Sequence, residues 1–189
     1  MALAGTLFMM NVYRRHLPHI DAPGVPTFVT FRLHGSLPSG RAFSREHLSS
    51  GKAFVTFDRL LDSGLHGPTY LRRPEIAQLV SEQLQAVAAQ SFCTLHAYVI
   101  MPNHVHILWT PAISHATLLR YVKGPTARAA NQILVRSGAF WQPEYFDRQV
   151  RDRPEFLRIQ NYIEQNPVKA LLAPTPEDFA WSSASAALS

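Results

Sequence analysis

Two histidines near the middle of the sequence have a spacing that could serve a metal ion. His104 and His106 flank one valine in the apolar run "HAYVIMPNHVHILWTP", which covers residues 96–111. Because residues i and i+2 of a β-strand point to the same face, the two imidazoles would project side by side. Two adjacent imidazoles make half of a site for a divalent ion. Taken alone, such a pair is more often two histidines that bind nothing.

A tyrosine and an asparagine later in the chain have a spacing that suits a helix. Tyr162 and Asn166, in "RIQNYIEQNP", are four positions apart and would therefore share one helical face. The tyrosine hydroxyl is a potential nucleophile, and the amide oxygen is a potential metal ligand. A purely structural explanation stays open, in which Tyr162 is a half-buried aromatic residue and Asn166 ends the helix before Pro167.

Length and composition predict one globular domain spanning residues 1–189. Hydrophobic residues make up 47% of the 189-residue chain, which is enough for a substantial core. We expect the main part of this domain to span residues 14–172, between a ragged N-terminal segment at 1–13 and a C-terminal tail at 173–189. Met9 or Met10 is a candidate for the natural initiator. No apolar run reaches the ~18 residues that a membrane span requires, and no basic residue precedes the apolar start as in a secretory signal.

Charge and cysteine content narrow the expected partner and compartment. The net charge is +5, and the basic residues other than Lys52, Lys123 and Lys169 are arginines. Arginine makes forked contacts with phosphates, so a basic, arginine-rich chain favours a polyanion as partner. The single cysteine, Cys93, excludes intramolecular disulfides and cysteine-rich zinc sites and fits a reducing cytoplasm. Its apolar surroundings favour core filler over a nucleophile.

Several elements must position these residues. "TFVTFRLHG", at residues 27–35, alternates between two faces and is bounded by Gly- and Pro-rich turns, which predicts a strand. A weak helical pattern covers 44–65, and Pro74 opens a clear amphipathic helix in "EIAQLVSEQLQAVAAQ". "CTLHAYVIMP" and "HVHILWTP" are predicted as two strands that meet at 101–103.

The second half of the chain continues the mixture of helices and strands. A helix is predicted from about 117 to 135, and "GAFWQPEYFDRQVRD" has strand or loop character. Pro154 and Glu155 open a last helix that is expected to end near Gln165. This order of elements predicts an α+β fold with a mostly antiparallel sheet and helices packed on one face.

Taken together, the motifs resemble a known family. They are "TFVTFRLHGSLP", "HAYVIMPNHVHILW", "FWQPEYFDRQVRD" and "RIQNYIEQNPVKA", with "WSS" near the end. In this order they resemble the HUH single-tyrosine transposases, and specifically the REP-associated tyrosine transposases of bacteria. The combination of "MPNHVH" with a later "YIEQNPVKA" is specific, because several unrelated features would have to coincide.

The resemblance implies a fold and a set of site residues. The implied fold is ferredoxin-like (RRM-like), with an antiparallel sheet and helices on one side. His104 and His106 match the metal-binding histidines, Tyr162 matches the nucleophile, and Asn166 matches a polar position that completes the metal site. The implied cofactor is Mg²⁺ or Mn²⁺, although two imidazoles by themselves suit Mn²⁺, Zn²⁺ or iron better than Mg²⁺.

The resemblance also implies a reaction and partners. The expected activity is cleavage and rejoining of single-stranded DNA beside a hairpin, a REP-like palindrome, through a 5′-phosphotyrosine intermediate. A monomer located in the bacterial cytoplasm, near the nucleoid, is expected. Unpaired bases could stack on Phe28, Trp109, Phe140 or Trp141, although each of these residues taken singly is more often a core aromatic. Basic residues expected to contact DNA are Arg14, Arg15, Arg32, Lys123, Arg148, Arg151, Arg158 and Lys169, with Arg120, Arg128 and Arg153 nearby in the sequence.

Two other functions remain compatible with the residues. One is a domesticated, non-catalytic protein that binds DNA hairpins or single strands on the same fold. The other is a small metal-dependent hydrolase that uses water, in which Tyr162 is structural. A covalent protein–DNA adduct would distinguish the transposase from both, because only the transposase forms a covalent bond between a side chain and the DNA phosphate.

Overall fold

The computed structural model describes residues 11–14, 18–37 and 67–185. The weak helical pattern at 44–65 and the expected DNA contact Arg15 lie outside these residues. The described strands are β1 (Asn11–Arg14), β2 (Pro18–Asp21), β3 (Thr27–Arg32), β4 (Cys93–Ile100), β5 (His104–Pro111) and β6 (Phe146–Gln149). The described α-helices are α1 (Pro74–Ala89), α2 (His115–Ile133) and α3 (Arg153–Lys169), with a short 3-10 turn at Tyr70–Arg72.

Four strands form one antiparallel sheet in the order β4-β5-β3-β6. Among the described elements, α1 lies between β3 and β4 in the chain and α2 lies between β5 and β6, which gives the order βαββαβ. This is the ferredoxin-like arrangement, in which the first and third strands of the unit lie at the centre. The predicted α+β fold is therefore confirmed. Strands β1 and β2 pair separately with each other, so part of the expected ragged start is regular.

The central strand β5 is buried on both faces, and this determines where the helices lie. Val105, Ile107 and Trp109 are fully buried in the core that includes α1 and α2. Leu108 is buried in a second core, on the opposite face, to which α3 contributes Ile163. The expectation of helices on one face thus holds for α1 and α2 but not for α3. A strand without a solvated face needs a layer on each side.

The helix that carries the tyrosine has well-defined ends. Asp152 caps its start, since the side-chain carboxylate accepts a hydrogen bond from the Glu155 amide at 2.7 Å. The helix continues through Pro167 to Lys169, beyond the predicted end near Gln165. A proline this close to the C-terminus removes one backbone donor, whereas the Ala170 amide still donates to the Asn166 carbonyl at 3.0 Å. Asn166 is therefore inside the helix and does not terminate it.

The C-terminal segment packs beside β4, although its sequence shows little periodicity. The Ile100 amide donates to the Trp181 carbonyl, and the Ser183 amide donates to the Tyr98 carbonyl, both at 2.9 Å. Ser182 forms an isolated bridge with Val99 and is fully buried. The segment is thus an integral part of the fold. Among the residues that the structure describes, no helix has the length and apolar character that a membrane crossing requires.

Candidate active site

His104 and His106 lie side by side on the face of β5 that α3 covers. Both side chains are fully buried. Their Nε2 atoms are 3.1 Å apart, and the ring centroids are 4.6 Å apart. The alternation of β5 produces this arrangement, because Val105 and Ile107 occupy the other face in the core with α1 and α2.

The Nδ1 atom of each histidine has a polar partner. The side-chain oxygen of Asn103 lies 2.7 Å from His104 Nδ1. The hydroxyl of Thr30, on the neighbouring strand β3, lies 2.7 Å from His106 Nδ1. Thr30 faces His106 because the two residues are direct partners in the β3–β5 register. Both partners are buried, with 1% of Asn103 and 2% of Thr30 exposed.

Helix α3 brings Tyr162 against these histidines. The Tyr162 ring centroid is 5.7 Å from that of His106. Phe28 on β3 fills the space beside both rings, stacked on His106 at 5.5 Å and edge-on to Tyr162 at 6.2 Å. Asn166 follows one helical turn after Tyr162, on the side of α3 that buries Ile163, and is 1% exposed. Two strand residues and two helix residues thus occupy the same layer between the sheet and α3.

The donor set of this layer fits a divalent cation. Two ligand atoms about 2.1 Å from one ion and at a right angle to each other are roughly 3 Å apart, and the two Nε2 atoms are 3.1 Å apart. Among the described residues, no group of three or more His, Cys, Asp or Glu could hold a metal ion. The third protein ligand expected from the sequence is instead the amide oxygen of Asn166.

Arg32 lies next to the histidine pair. It is the direct partner of His104 in the β3–β5 register, so its side chain leaves the sheet on the same face. Its guanidinium donates to the Ser36 hydroxyl at 3.2 Å. Burial lowers the pKa of Arg32, because a half-buried cation loses hydration. A bound anion would compensate for that loss.

Lys169 is also close to the tyrosine. Its ammonium lies 4.9 Å from the centroid of the Tyr162 ring, in a cation–π arrangement, and its side chain is otherwise exposed. Among the expected DNA contacts whose side chains the structure describes, Arg32 and Lys169 lie directly beside the histidine–tyrosine cluster.

Arg148 and Arg151 are engaged by a carboxylate at the start of α3. Glu155 is 4% exposed and forms ion pairs with Arg148 on β6 and with Arg151, the latter at 3.0 Å. Its carboxylate also accepts the Arg151 amide at 2.9 Å. Hydrogen bonds from Arg151, with the charges of both arginines, lower the pKa of Glu155 to about 2. Through these ion pairs with Glu155, the two arginines hold β6 and the segment after it against the start of α3, and this role is separate from any contact with DNA.

The remaining basic residues are distributed elsewhere. Lys123 on α2 donates to the carbonyls of Gln142 and Pro143, at 2.6 and 3.2 Å, and so holds a loop. Arg158 is exposed on α3. Arg14 ends β1, and its side chain lies outside the described part. Arg120 and Arg128 are exposed on α2, across the sheet from the histidines.

The four aromatic residues considered for base stacking lie in the core, which is what the sequence favours for each of them taken singly. Phe28, Trp109, Phe140 and Trp141 are each at most 5% exposed. Their rings fill the cores on the two faces of the sheet, and Phe28 packs on His106 instead. Aromatic residues in the strands of a small sheet supply much of its buried area, so an interior position is the commoner use.

Three residues of this region were not predicted as site residues. The sequence places Thr30 only within a predicted strand and Asn103 only in the segment where two predicted strands meet. Glu155 was interpreted as a helix-start residue. Asn103 could have been predicted as a site residue from the sequence, because it directly precedes the first histidine. Thr30 could be found only once the register of β3 against β5 was known.

Comparisons with known proteins show which family and which solved structures this chain is similar to. Residues 69–166, about half of the chain and including both histidines, Tyr162 and Asn166, match the profile of IS200-like transposases. A solved structure of the REP-associated tyrosine transposase bound to a REP hairpin is 19% identical, with a TM-score of 0.59, and the match covers 92% of this chain and 82% of that one. A putative transposase from Deinococcus radiodurans is 18% identical, with a TM-score of 0.42, over 82% and 96%. No curated protein sequence matches.

Proposed function

Since the chain belongs to the IS200-like transposase family, we propose that it cuts and rejoins single-stranded DNA through Tyr162. The observation that carries the proposal is the packing of the Tyr162 ring 5.7 Å from His106, whose Nε2 lies 3.1 Å from that of His104. A nucleophile and a cation-binding pair thus share one buried layer. A water-dependent hydrolase would not need a tyrosine in that layer.

The reaction is a transesterification in two directions. The Tyr162 oxygen attacks the phosphorus, a P–O bond to tyrosine forms, the bond to the 3′ oxygen breaks, and the phenolic proton is lost while the 3′ oxygen gains one. The products are a 5′-phosphotyrosine and a free 3′-hydroxyl. Because the new bond is again a phosphodiester, the 3′-hydroxyl of another strand can reverse the step without ATP. Tyrosine is a weak nucleophile at neutral pH, since its usual pKa is near 10, and therefore needs activation.

We propose that His104, His106 and Asn166 hold Mg²⁺ or Mn²⁺. A divalent cation in this place would neutralise charge on the scissile phosphate and stabilise the leaving oxygen. The facing Nε2 atoms support nitrogen ligation, and the burial of Asn166 on the same side of α3 supports a role for its amide. Nitrogen ligands favour Mn²⁺ over Mg²⁺ at such a site.

The DNA would approach along the side chains of Arg32 and Lys169. Arg32 is half-buried beside His104, so that a phosphate could compensate its lost hydration. Lys169 carries its charge over the Tyr162 ring, near the phosphate that would become attached there. The similar solved transposase is bound to a REP hairpin, and its likeness in fold supports a hairpin substrate for this chain. We further propose that the protein acts as a monomer, with Tyr162 used in cis.

The test is a denaturing gel of a labelled single-stranded oligonucleotide that contains a hairpin. With Mn²⁺, the native protein should give a slowly migrating covalent species, and EDTA should prevent it. Tyr162→Phe removes only a hydroxyl, so DNA binding should persist while the covalent species disappears. Tyr121→Phe is the matched control, because Tyr121 is 40% exposed on α2, across the sheet, and this variant should react like the native protein.

His104→Ala and His106→Ala should each abolish the covalent species and weaken Mn²⁺ binding. Near-native cleavage by Tyr162→Phe would show that the tyrosine is structural and would favour the hydrolase. Hairpin binding without any cleavage by the native protein, over a range of hairpin sequences and with either metal, would favour the non-catalytic binder.

A further inference from the structure

Each of the two imidazoles can carry its ring proton on Nδ1 or on Nε2, and the neighbouring groups restrict which nitrogen is protonated. A neutral histidine carries one N–H and one lone pair, and the partner of one nitrogen decides which form is present. Two arrangements of the ring protons are compatible with Nε2 atoms 3.1 Å apart. Either one Nε2–H donates to the other Nε2, or both lone pairs face the same point, where a divalent cation could bind both.

At His104 the partner allows one form. The Asn103 side-chain oxygen, 2.7 Å from His104 Nδ1, can accept a hydrogen bond but cannot donate one. The ring proton of neutral His104 is therefore on Nδ1, and the lone pair is on Nε2. Asn103 is 1% exposed, so water cannot readily replace this contact. Asn103, immediately before the first histidine, thus keeps the ring proton of His104 on Nδ1.

At His106 the partner allows both forms. The Thr30 hydroxyl, 2.7 Å from His106 Nδ1, can donate or accept by rotation about its C–O bond. When it donates, the ring proton is on Nε2 and can bond to His104 Nε2. When it accepts, the proton is on Nδ1 and both Nε2 lone pairs are directed to one point. In the first form every ring nitrogen of the pair has a partner within the protein, whereas in the second form the two Nε2 atoms need a bound cation between them.

We propose that Asn103 and Thr30 are positioning residues, which keep the ring protons of His104 and His106 on Nδ1 and so present both Nε2 atoms to a divalent cation. The inference rests on the metal site of the proposed function and deepens it. The register pairing of Thr30 with His106 and the burial of both residues make the contact specific. Groups that orient metal-binding histidines in this way typically contribute about 10–100-fold to metal affinity.

The decisive variant is Thr30→Val, which replaces the hydroxyl by a methyl group and keeps a β-branched residue in the strand. Without the acceptor, the proton of His106 moves to Nε2 and blocks the cation. Mn²⁺ affinity, measured by calorimetry without DNA at pH 7.5, should fall about 10–100-fold. Thr30→Ser keeps the hydroxyl and is the matched control, with an expected loss of at most about threefold. Asn103→Leu should weaken Mn²⁺ binding as Thr30→Val does.

A measurement on the native protein removes any dependence on the folding of variants. Long-range ¹H–¹⁵N correlation spectra with saturating Mg²⁺ should show both histidines protonated at Nδ1. Protonation of either ring at Nε2, or native Mn²⁺ affinity in Thr30→Val, overturns the inference, as does a native protein that binds neither ion. If Mn²⁺ binding depends on Thr30 but no covalent DNA adduct ever forms, the proposed reaction fails and the inference stands.

Discussion

Glu155 is the buried carboxylate that joins the start of α3 to β6, and Glu155→Gln tests its contribution. The substitution keeps the size of the side chain and one oxygen acceptor but removes the charge that pairs with Arg148 and Arg151. In the folded protein the pKa of Glu155 is lowered from 4.5 to about 2. A shift of this size corresponds to about 3 kcal/mol of stabilisation as an upper limit.

That limit must be reduced for solvent screening. The side chain of Glu155 is 5% exposed, but those of Arg148 and Arg151 are 38% and 70% exposed. Exposed partners interact through water and lose part of the Coulomb energy, which leaves about 1–2 kcal/mol for the charge. We therefore expect Glu155→Gln to lower the free energy of unfolding at pH 7 by about 1–2 kcal/mol.

The pH dependence gives the prediction its sign. Because the folded-state pKa is below the unfolded-state value, the stabilisation is complete above pH 4.5 and is lost as the pH falls towards about 2. Urea unfolding followed by tryptophan fluorescence should thus show a difference between native and variant proteins that shrinks from pH 7 to pH 3.

The matched control is Glu75→Gln. Glu75 pairs with Arg73 at the start of α1, but both side chains are about half exposed, at 45% and 48%. We expect this control to change stability much less than Glu155→Gln. An equal difference for Glu155→Gln at both pH values, or no destabilisation at pH 7, would refute the electrostatic reasoning.

Three further predictions concern the backbone and the assembly. Leu171, just after the end of α3, has a positive φ of 57° and is 92% exposed. Leu171→Gly should therefore raise the free energy of unfolding by about 1 kcal/mol. The same stability for both proteins in urea denaturation would contradict this prediction. Gly67→Ala should destabilise by at least about 2 kcal/mol, because its Cβ would clash with the Gly35 carbonyl. Gly24→Ala, with a similar φ but open space, is its control and should cost about 1 kcal/mol in the same assay. Light scattering at micromolar concentration should give the mass of a monomer, and a stable dimer would contradict the proposed monomeric state.

Periodicity accounts for what the sequence could predict about the site. The two-residue period of "HVHILW" places His104 and His106 on one face, and the four-residue spacing places Tyr162 and Asn166 on one side of α3. These are local consequences of backbone geometry. Strands β4 and β5 also lie where their apolar runs predicted them.

What could not be predicted depends on contacts between distant segments. The position of α3 on the opposite face from α1 and α2 follows from the burial of β5 on both sides, and an apolar run alone does not reveal which helix covers which face. The contact of Glu155 with Arg148 likewise needs β6 to lie beside α3. Lys123 was predicted to contact DNA from its charge, and its hydrogen bonds to loop carbonyls depend on where α2 packs in the fold.

The pairing of the C-terminal segment with β4 has a consequence for solubility. The outer side of β4 would otherwise present unpaired backbone amides and carbonyls, which are a template for strand addition by another molecule. In this chain the Ile100 amide donates to the Trp181 carbonyl, and the Tyr98 carbonyl accepts from the Ser183 amide. Removing residues from 180 onwards would therefore uncover this edge of the sheet, and intermolecular association would increase with concentration.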